Sequence, residues 1–475
     1  MLFTDPLFLF YFLPAVLLLL RVASVGNRLR VPAKLLIIAS TLVFYAYGNW
    51  LWILIFLTVV GGAYAYGWLI AWTTSPRGRR MWLAAALLHC LILLAAFKYL
   101  DWVAGFLPGL RSVQAALVPW FGKQGQIVLP PGISFYVFEA VSYCFDLYRR
   151  KIQPARNPLD FLCFIAMFPR FIAGPIVRYT ELEYQLRNWP GPRTTRGLTL
   201  FATGFSLKCL LADQFSVFVP YAFNVDQPDF LQAWVGVLAY TFQLYFDFWS
   251  YSIMATGLGV CLGFEFPDNF RSPYKATSLT QFWRHWHITL STWLRDYVYI
   301  SLGGNQHGRW RMHANLLLTM VLGGLWHGAN LTFLLWGFYH GIILSLEKLI
   351  GETRLTRVPA NLRHAVTFGL VAGGWVLFRS ANLHQARSIW AAMSGSHGFF
   401  RAFNPLLLEK QIFAAGLSVV GLGFFGWGER YLVTNQPLAS VDFPLPVQLI
   451  VFAIFSVSLF VAASSVAIPF LYFQF

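Results

Sequence analysis

Residues 51–72, "LWILIFLTVVGGAYAYGWLIAW", hold no charged side chain. A bilayer core is crossed by roughly 20 such residues in a helix. No water reaches the backbone there, so an unbroken helix must satisfy its own N–H and C=O groups. Comparable runs recur along all 475 residues, among them "LLIIASTLVFYAYGNW" and "MWLAAALLHCLILLAAF". Charged residues make up only 11% of the chain, against about 25% in soluble domains. The implied solvent is lipid. An aromatic share of 18%, with 46 Phe and 19 Trp, suits lipid contact and interfacial belts.

The net charge of +16 sits largely in short loops. Arg21, Arg28, Arg30 and Lys34 follow a first span at about residues 6–20. Arg77, Arg79 and Arg80 follow a hairpin over 35–72, and Arg149, Arg150 and Lys151 close the run that begins at Ile133. This spacing fits the positive-inside rule and contact with anionic lipid. No basic run has RNA-module patterning, which excludes nucleic acid as a partner. The five cysteines lie in apolar surroundings and read as reduced, buried small hydrophobes. The first residues lack a basic n-region and a small-residue cleavage site, so they read as a retained first helix.

Further along, residues 101–127 read as loop or interfacial helix. In "FLCFIAMFPRFIAGPIVRYTEL", Pro169, Arg170, Gly174 and Pro175 interrupt an apolar run. Broken backbone at membrane depth survives where protein or a water cavity satisfies it, so this segment is expected to line an interior space. Helices follow over 197–224 and 232–262. Residues 278–305 place Trp283, Trp286, Leu290, Trp293, Leu294 and Tyr297 at three- and four-residue steps, with Arg284, Arg295 and Asp296 off that stripe. This predicts an amphipathic helix at the interface. Spans at 314–326, 328–349, 365–378, 411–427 and 446–470 complete the chain. The expectation is an all-α polytopic membrane protein of roughly eleven spans plus interfacial and re-entrant helices, in a single domain over 1–475.

A few polar residues interrupt this pattern. His327 lies in "GGLWHGAN", framed by Gly323, Gly324 and Gly328. A membrane ionisable group is costly and usually faces a cavity. Its spacing leaves two readings open: a neutral packed histidine, or a general base for an attacking hydroxyl or thiol. His287 falls on the apolar stripe of "RHWHIT", whereas His285 is expected to meet headgroups or solvent. Two residues apart, they are no natural metal pair, and no metal site is expected. Asp247 and Glu139 sit inside apolar runs and are read as paired to basic residues or as parts of a polar path. No nucleophile elbow, Walker loop or dinucleotide fingerprint occurs.

Several blocks, in this order, resemble the membrane-bound O-acyltransferase (MBOAT) superfamily, in its AlgI-like polysaccharide O-acetylation branch. They are "PPGISFYVFEAVSYCFDLYRR", "FPRFIAGPIVRY", "QLYFDFWSYSIMATGLG", "DNFRSPYKATSLTQFWRHWHITLSTWLRDYVYISLGGN", "NLLLTMVLGGLWHGANLTFLLWGFYHG", "GWVLFRSANL" and the closing "PFLYFQF". The resemblance implies a helical membrane fold around a central funnel, with His327 and His287 as its two catalytic histidines. It implies acetyl-CoA as donor, no bound cofactor, a periplasmic acetyltransferase partner and an exported polysaccharide of alginate or cellulose type as acceptor. It also implies a bacterial inner membrane. Arg284, Arg295 and Lys275 are candidates for the donor's phosphates, or else for ordinary headgroup contact. Two departures stand out. Trp249, Ser250 and Ile253 replace the branch's usual Ser, Gly and Asp, and His285 stands where Arg is common. The competing class is a transporter or flippase, which explains spans and buried charges equally but calls for an internal repeat that the chain lacks.

Overall fold

The structure, a computed structural model, describes the chain except residues 25–30, 400–407, 434–435, 465–467 and 472–475. Arg28, Arg30 and the last four residues of "PFLYFQF" therefore lie outside the described residues. Nearly all described regular structure is helical; the strand pair Gly122–Lys123 and Gln126–Ile127 forms a two-residue hairpin. Four described helices are long and apolar enough to cross a membrane: Trp52–Trp72, Pro76–Lys98, Leu331–Ile350 and Leu445–Ser464. The expected count of about eleven is not reached by that measure. Phe8–Ala23 and Val31–Ala46 are too short, and Arg309–His327 opens on Arg309 and Arg311. All five cysteines are free and buried.

The chain packs as two compact units, one of Met1–Phe201 with Met254–Pro267 and the other of Ala202–Ile253 with Asp268–Phe475. In the first, Ile133–Tyr148 is buried along nearly its whole length. Arg79 donates to the carbonyls of Leu147 and Tyr148, both at 2.8 Å, and so caps that helix's C-terminal end. The interrupted run after residue 161 is a helix, Pro158–Ile165, followed by turns. Its freed backbone finds side-chain partners in this unit. Thr41 Oγ1 donates to the Ala166 carbonyl at 3.0 Å and accepts from the Phe168 N–H at 2.9 Å. The Arg170 guanidinium, 1% exposed, ion-pairs with Glu139 and donates to the Phe164 carbonyl.

Side chains of the protein thus satisfy the broken backbone. None of the three cavities described below is lined by it. Glu139 proves to be half of a buried ion pair. Glu139→Gln would leave a guanidinium uncompensated in the core, which costs about 3–5 kcal/mol. A drop in the unfolding midpoint of the purified protein is the expected reading, largely recovered in Glu139→Leu/Arg170→Met. A midpoint that stays put in Glu139→Gln would mean the pair does not hold the bend.

In the second unit, Arg309–His327 and Leu331–Ile350 form a close hairpin. Glycines permit the approach: a Cβ on Gly324 would stand 3.1 Å from the Gly337 nitrogen, and one on Gly337 2.9 Å from the Met320 carbonyl carbon. This small-residue packing is common between membrane helices. The amphipathic stretch departs from the expected single helix. It forms Leu279–His285, then Ile288–Trp293, then a wide turn over Leu294–Tyr299. The break falls at His287, whose φ of 42° is left-handed. The neighbouring loop stabilises it: Arg271 N–H donates to the His285 carbonyl at 3.0 Å, and Ile288 N–H to the Asn269 carbonyl at 2.9 Å. Tertiary pairing overrides the helical pattern there.

Candidate active site

His327 is the last residue of its helix. Gly328 is extended, and the next helix starts at the cap Asn330, whose side chain accepts from Thr332 N–H at 3.1 Å. The glycine-framed break is therefore real, and it turns the imidazole into a nest of rings. Trp326, Phe378 and Trp336 stand edge-on to it, with centroids at 4.9, 5.0 and 5.3 Å.

Two spaces meet at His327, both within the second unit. One is a wide cavity of about 490 Å³ whose walls are mostly apolar, with Arg284, Arg295 and Lys348 among the lining residues. The other is a narrow chamber of about 20 Å³ bounded by Trp286, Trp336, Trp375, Phe378 and Asp247. Leu471 also contributes to its wall. A polar groove of about 580 Å³ shares Arg284 and Lys348 with the wide cavity and adds Arg363, Glu347 and His285. Burial, then the charges of Arg271 and Arg284, push the His285 imidazole below its ordinary pKa. At neutral pH it adds little charge to the groove.

His287 is 1% exposed and does not line either space. Its Nδ1 stands 3.0 Å from Asn269 Oδ1. That oxygen also accepts from Thr289 Oγ1 at 3.0 Å, while Asn269 Nδ2 donates to Ser252 Oγ at 3.2 Å. The network fixes Oδ1 as acceptor, so His287 carries its proton on Nδ1. Its Nε2 is then a lone-pair acceptor, buried with no hydrogen-bond partner among the described residues. The Phe248 ring packs edge-on at 4.7 Å.

Asp247 is part of a buried charge cluster. Lys208 Nζ stands 2.7 Å from its Oδ1 and 2.5 Å from Asp213, and Leu471 N–H donates to its Oδ2 at 2.8 Å. The expected pairing with a basic residue holds here too.

Of the sequence candidates, His327, Arg284 and Arg295 come together on the wide cavity. Arg295 is already held by Asp296 at 2.7 Å. Lys275 is exposed and lines neither space. Sequence reasoning missed Lys348, Asn269 and the rings of Trp336, Trp375 and Phe378. A lysine near the end of a span reads as a simple interfacial anchor, and tryptophans in apolar runs read as core. Among the described residues no three His, Cys, Asp or Glu side chains group as a metal site.

An imidazole between a basic-rimmed cavity and a narrow aromatic chamber suits proton transfer in a water-poor setting. Comparison with known proteins bears on which reaction this is. Residues 37–376 match the MBOAT, membrane-bound O-acyltransferase, family. That stretch runs through residues of both units. A probable alginate O-acetylase of Pseudomonas aeruginosa is 40% identical over 92% of this chain and 83% of its own. One from Azotobacter vinelandii is 36% identical over 100% of both chains. A peptidoglycan O-acetyltransferase of Helicobacter pylori is 33% identical over 84% of this chain and 80% of its own. With its apolar helices and a family match spanning His327, His287 and the cavity rim, this multi-pass membrane protein belongs to the membrane-bound O-acyltransferase family and is an acyltransferase.

Proposed function

We propose that the protein transfers acetyl groups from acetyl-CoA, taken from the cytoplasmic side of a bacterial inner membrane, toward an exported polysaccharide. The names of its relatives favour an alginate-type acceptor over cellulose. A periplasmic acetyltransferase would complete the transfer onto the polymer. On this reading both units serve one acyltransferase domain over 1–475. Acyltransferase family membership sets aside the transporter reading.

The observation that carries the proposal is the position of His327, which faces the wide cavity and the narrow chamber at once. The wide cavity has room for the pantetheine arm, and apolar walls there exclude water from the thioester. His327 acts as general base on the acceptor hydroxyl. His287, oriented by Asn269, supports it as a second buried acceptor of protons. Arg284 and Lys348 hold the anionic end of the donor. Arg295, tied to Asp296, and exposed Lys275 add only to the basic field.

The test uses the full-length protein in nanodiscs with labelled acetyl-CoA, following thiol release. Arg284→Gln/Lys348→Gln is expected to raise KM by about 10-fold or more, the scale of lost charged hydrogen bonds. Because such contacts bind ground and transition state alike, kcat should change little. An unchanged KM would place the donor's phosphates elsewhere. Failure of the parent to release thiol from acetyl-CoA, with acceptor and partner supplied, would sink this donor.

A further inference from the structure

Among the described residues, His327 and Trp336 line both the wide cavity and the narrow chamber. Trp336 is 1% exposed, and its indole N–H has no hydrogen-bond partner among the described residues. Buried donors without partners are rare and call for an explanation. The Trp336 and His327 rings stand 5.3 Å apart at 90°. The chamber beyond them, of about 20 Å³, has room for roughly one or two water-sized groups. Rings of Trp375 and Phe378 bound it, packed on Trp336 at 5.7 and 5.1 Å. Its one carboxylate is already engaged, since Asp247 accepts from Lys208 and from Leu471 N–H.

From these observations we infer that the narrow chamber is the acyl pocket, sized for a two-carbon acyl group, and that Trp336 Nε1–H donates to the acyl carbonyl oxygen. The inference rests on the acyl-CoA reading above and specifies its acyl end. The methyl of an acetyl group fills the chamber; each further methylene must displace a ring. The carbonyl carbon then lies at the mouth, between Trp336 and His327, with the thioester sulfur toward the wide cavity. When the acceptor oxygen bonds to that carbon, the C=O π electrons move to the carbonyl oxygen, which Trp336 stabilises as it gains charge. The acceptor's proton passes to His327. As the C=O re-forms, the C–S bond breaks and the departing thiolate takes that proton.

The test measures binding and so does not depend on turnover. Ketone analogues of acetyl-, propionyl- and butyryl-CoA, with CH₂ in place of sulfur, are titrated into the full-length protein in nanodiscs. The parent is expected to prefer the acetyl analogue by about 10- to 200-fold per added methylene, the range for a hydrophobic pocket. Phe378→Leu and Phe378→Ala should relax that preference stepwise. Retained acetyl-analogue binding by Phe378→Leu checks the fold. With a ¹³C-labelled carbonyl, Trp336→Phe should keep the length preference but move the carbonyl infrared band to higher wavenumber. Equal affinities across the series, or a preference untouched at Phe378, would overturn the pocket. A carbonyl band unmoved in Trp336→Phe would overturn the donor. If no analogue binds the parent at all, the CoA-thioester reading itself fails, and the pocket with it.

Discussion

His327→Ala is expected to lose acyl transfer by about 10²- to 10⁴-fold while still folding, the contribution of a positioned general base, the role proposed above for His327. The imidazole is half-buried; the rings of Trp326, Trp336 and Phe378 meet it edge-on, and Phe333 stacks beside it at 6.5 Å. Its removal leaves a gap beside the wide cavity rather than a sealed void, so the stability cost should be at the low end for a large-to-small change. Proton transfer occurs in the chemical step, so the loss should fall on kcat and leave KM nearly alone. His327→Gln, which keeps polarity and much of the volume, should be about as inactive as Ala. The wide cavity of about 490 Å³ also admits free imidazole. Added imidazole should therefore restore part of the activity to the Ala variant and none to a variant impaired at Arg284. A folded His327→Ala with a rate within about threefold of the parent would leave the histidine a packing role only.

His327 stood out in the sequence as a titratable residue among glycines in an apolar run, but its spacing left a packed neutral histidine equally open; that it lines two cavities comes from the structure. Arg284 lay off the aromatic stripe and was a candidate only through the family resemblance, with headgroup contact as the alternative; the structure puts it on the rim of the wide cavity. The pairings of Glu139 and Asp247 were foreseeable in kind, since a carboxylate in lipid needs a cation, but not in partner. Arg170 lies 31 positions from Glu139, and Lys208 lies 39 from Asp247 (170 − 139 and 247 − 208). Nothing local marks either match. Asn269 was invisible for the same reason: it is an unremarkable loop residue until the turn at His287 folds onto it. The count of about eleven spans is not confirmed: by length and hydropathy four helices among the described residues qualify.

Lys208→Met is expected to destabilise the protein by about 3–5 kcal/mol, the cost of breaking a buried ion pair from one side. Lys208 is 1% exposed and serves both Asp213 and Asp247, while its ammonium also lies 4.8 Å from the Phe470 ring centroid. Methionine fills much of the same volume, so the loss is electrostatic rather than steric. Two carboxylates then face each other, Asp247 at 2% and Asp213 at 19% side-chain exposure, and protonation of one relieves only part of the penalty. The damage should also reach the chemistry. Asp247 and Leu471 both line the narrow chamber, and the bond from Leu471 N–H to Asp247 ties that segment in place. Acyl transfer should therefore fall alongside the unfolding midpoint. Lys208→Met/Asp213→Asn/Asp247→Asn removes every charge of the cluster together. Replacement of a whole buried cluster is often near neutral, so the midpoint should recover to within about 2 kcal/mol of the parent. A single variant as stable as the parent would mean that these charges are solvated after all. A triple variant as unstable as the single would show that Lys208 acts through packing, not charge.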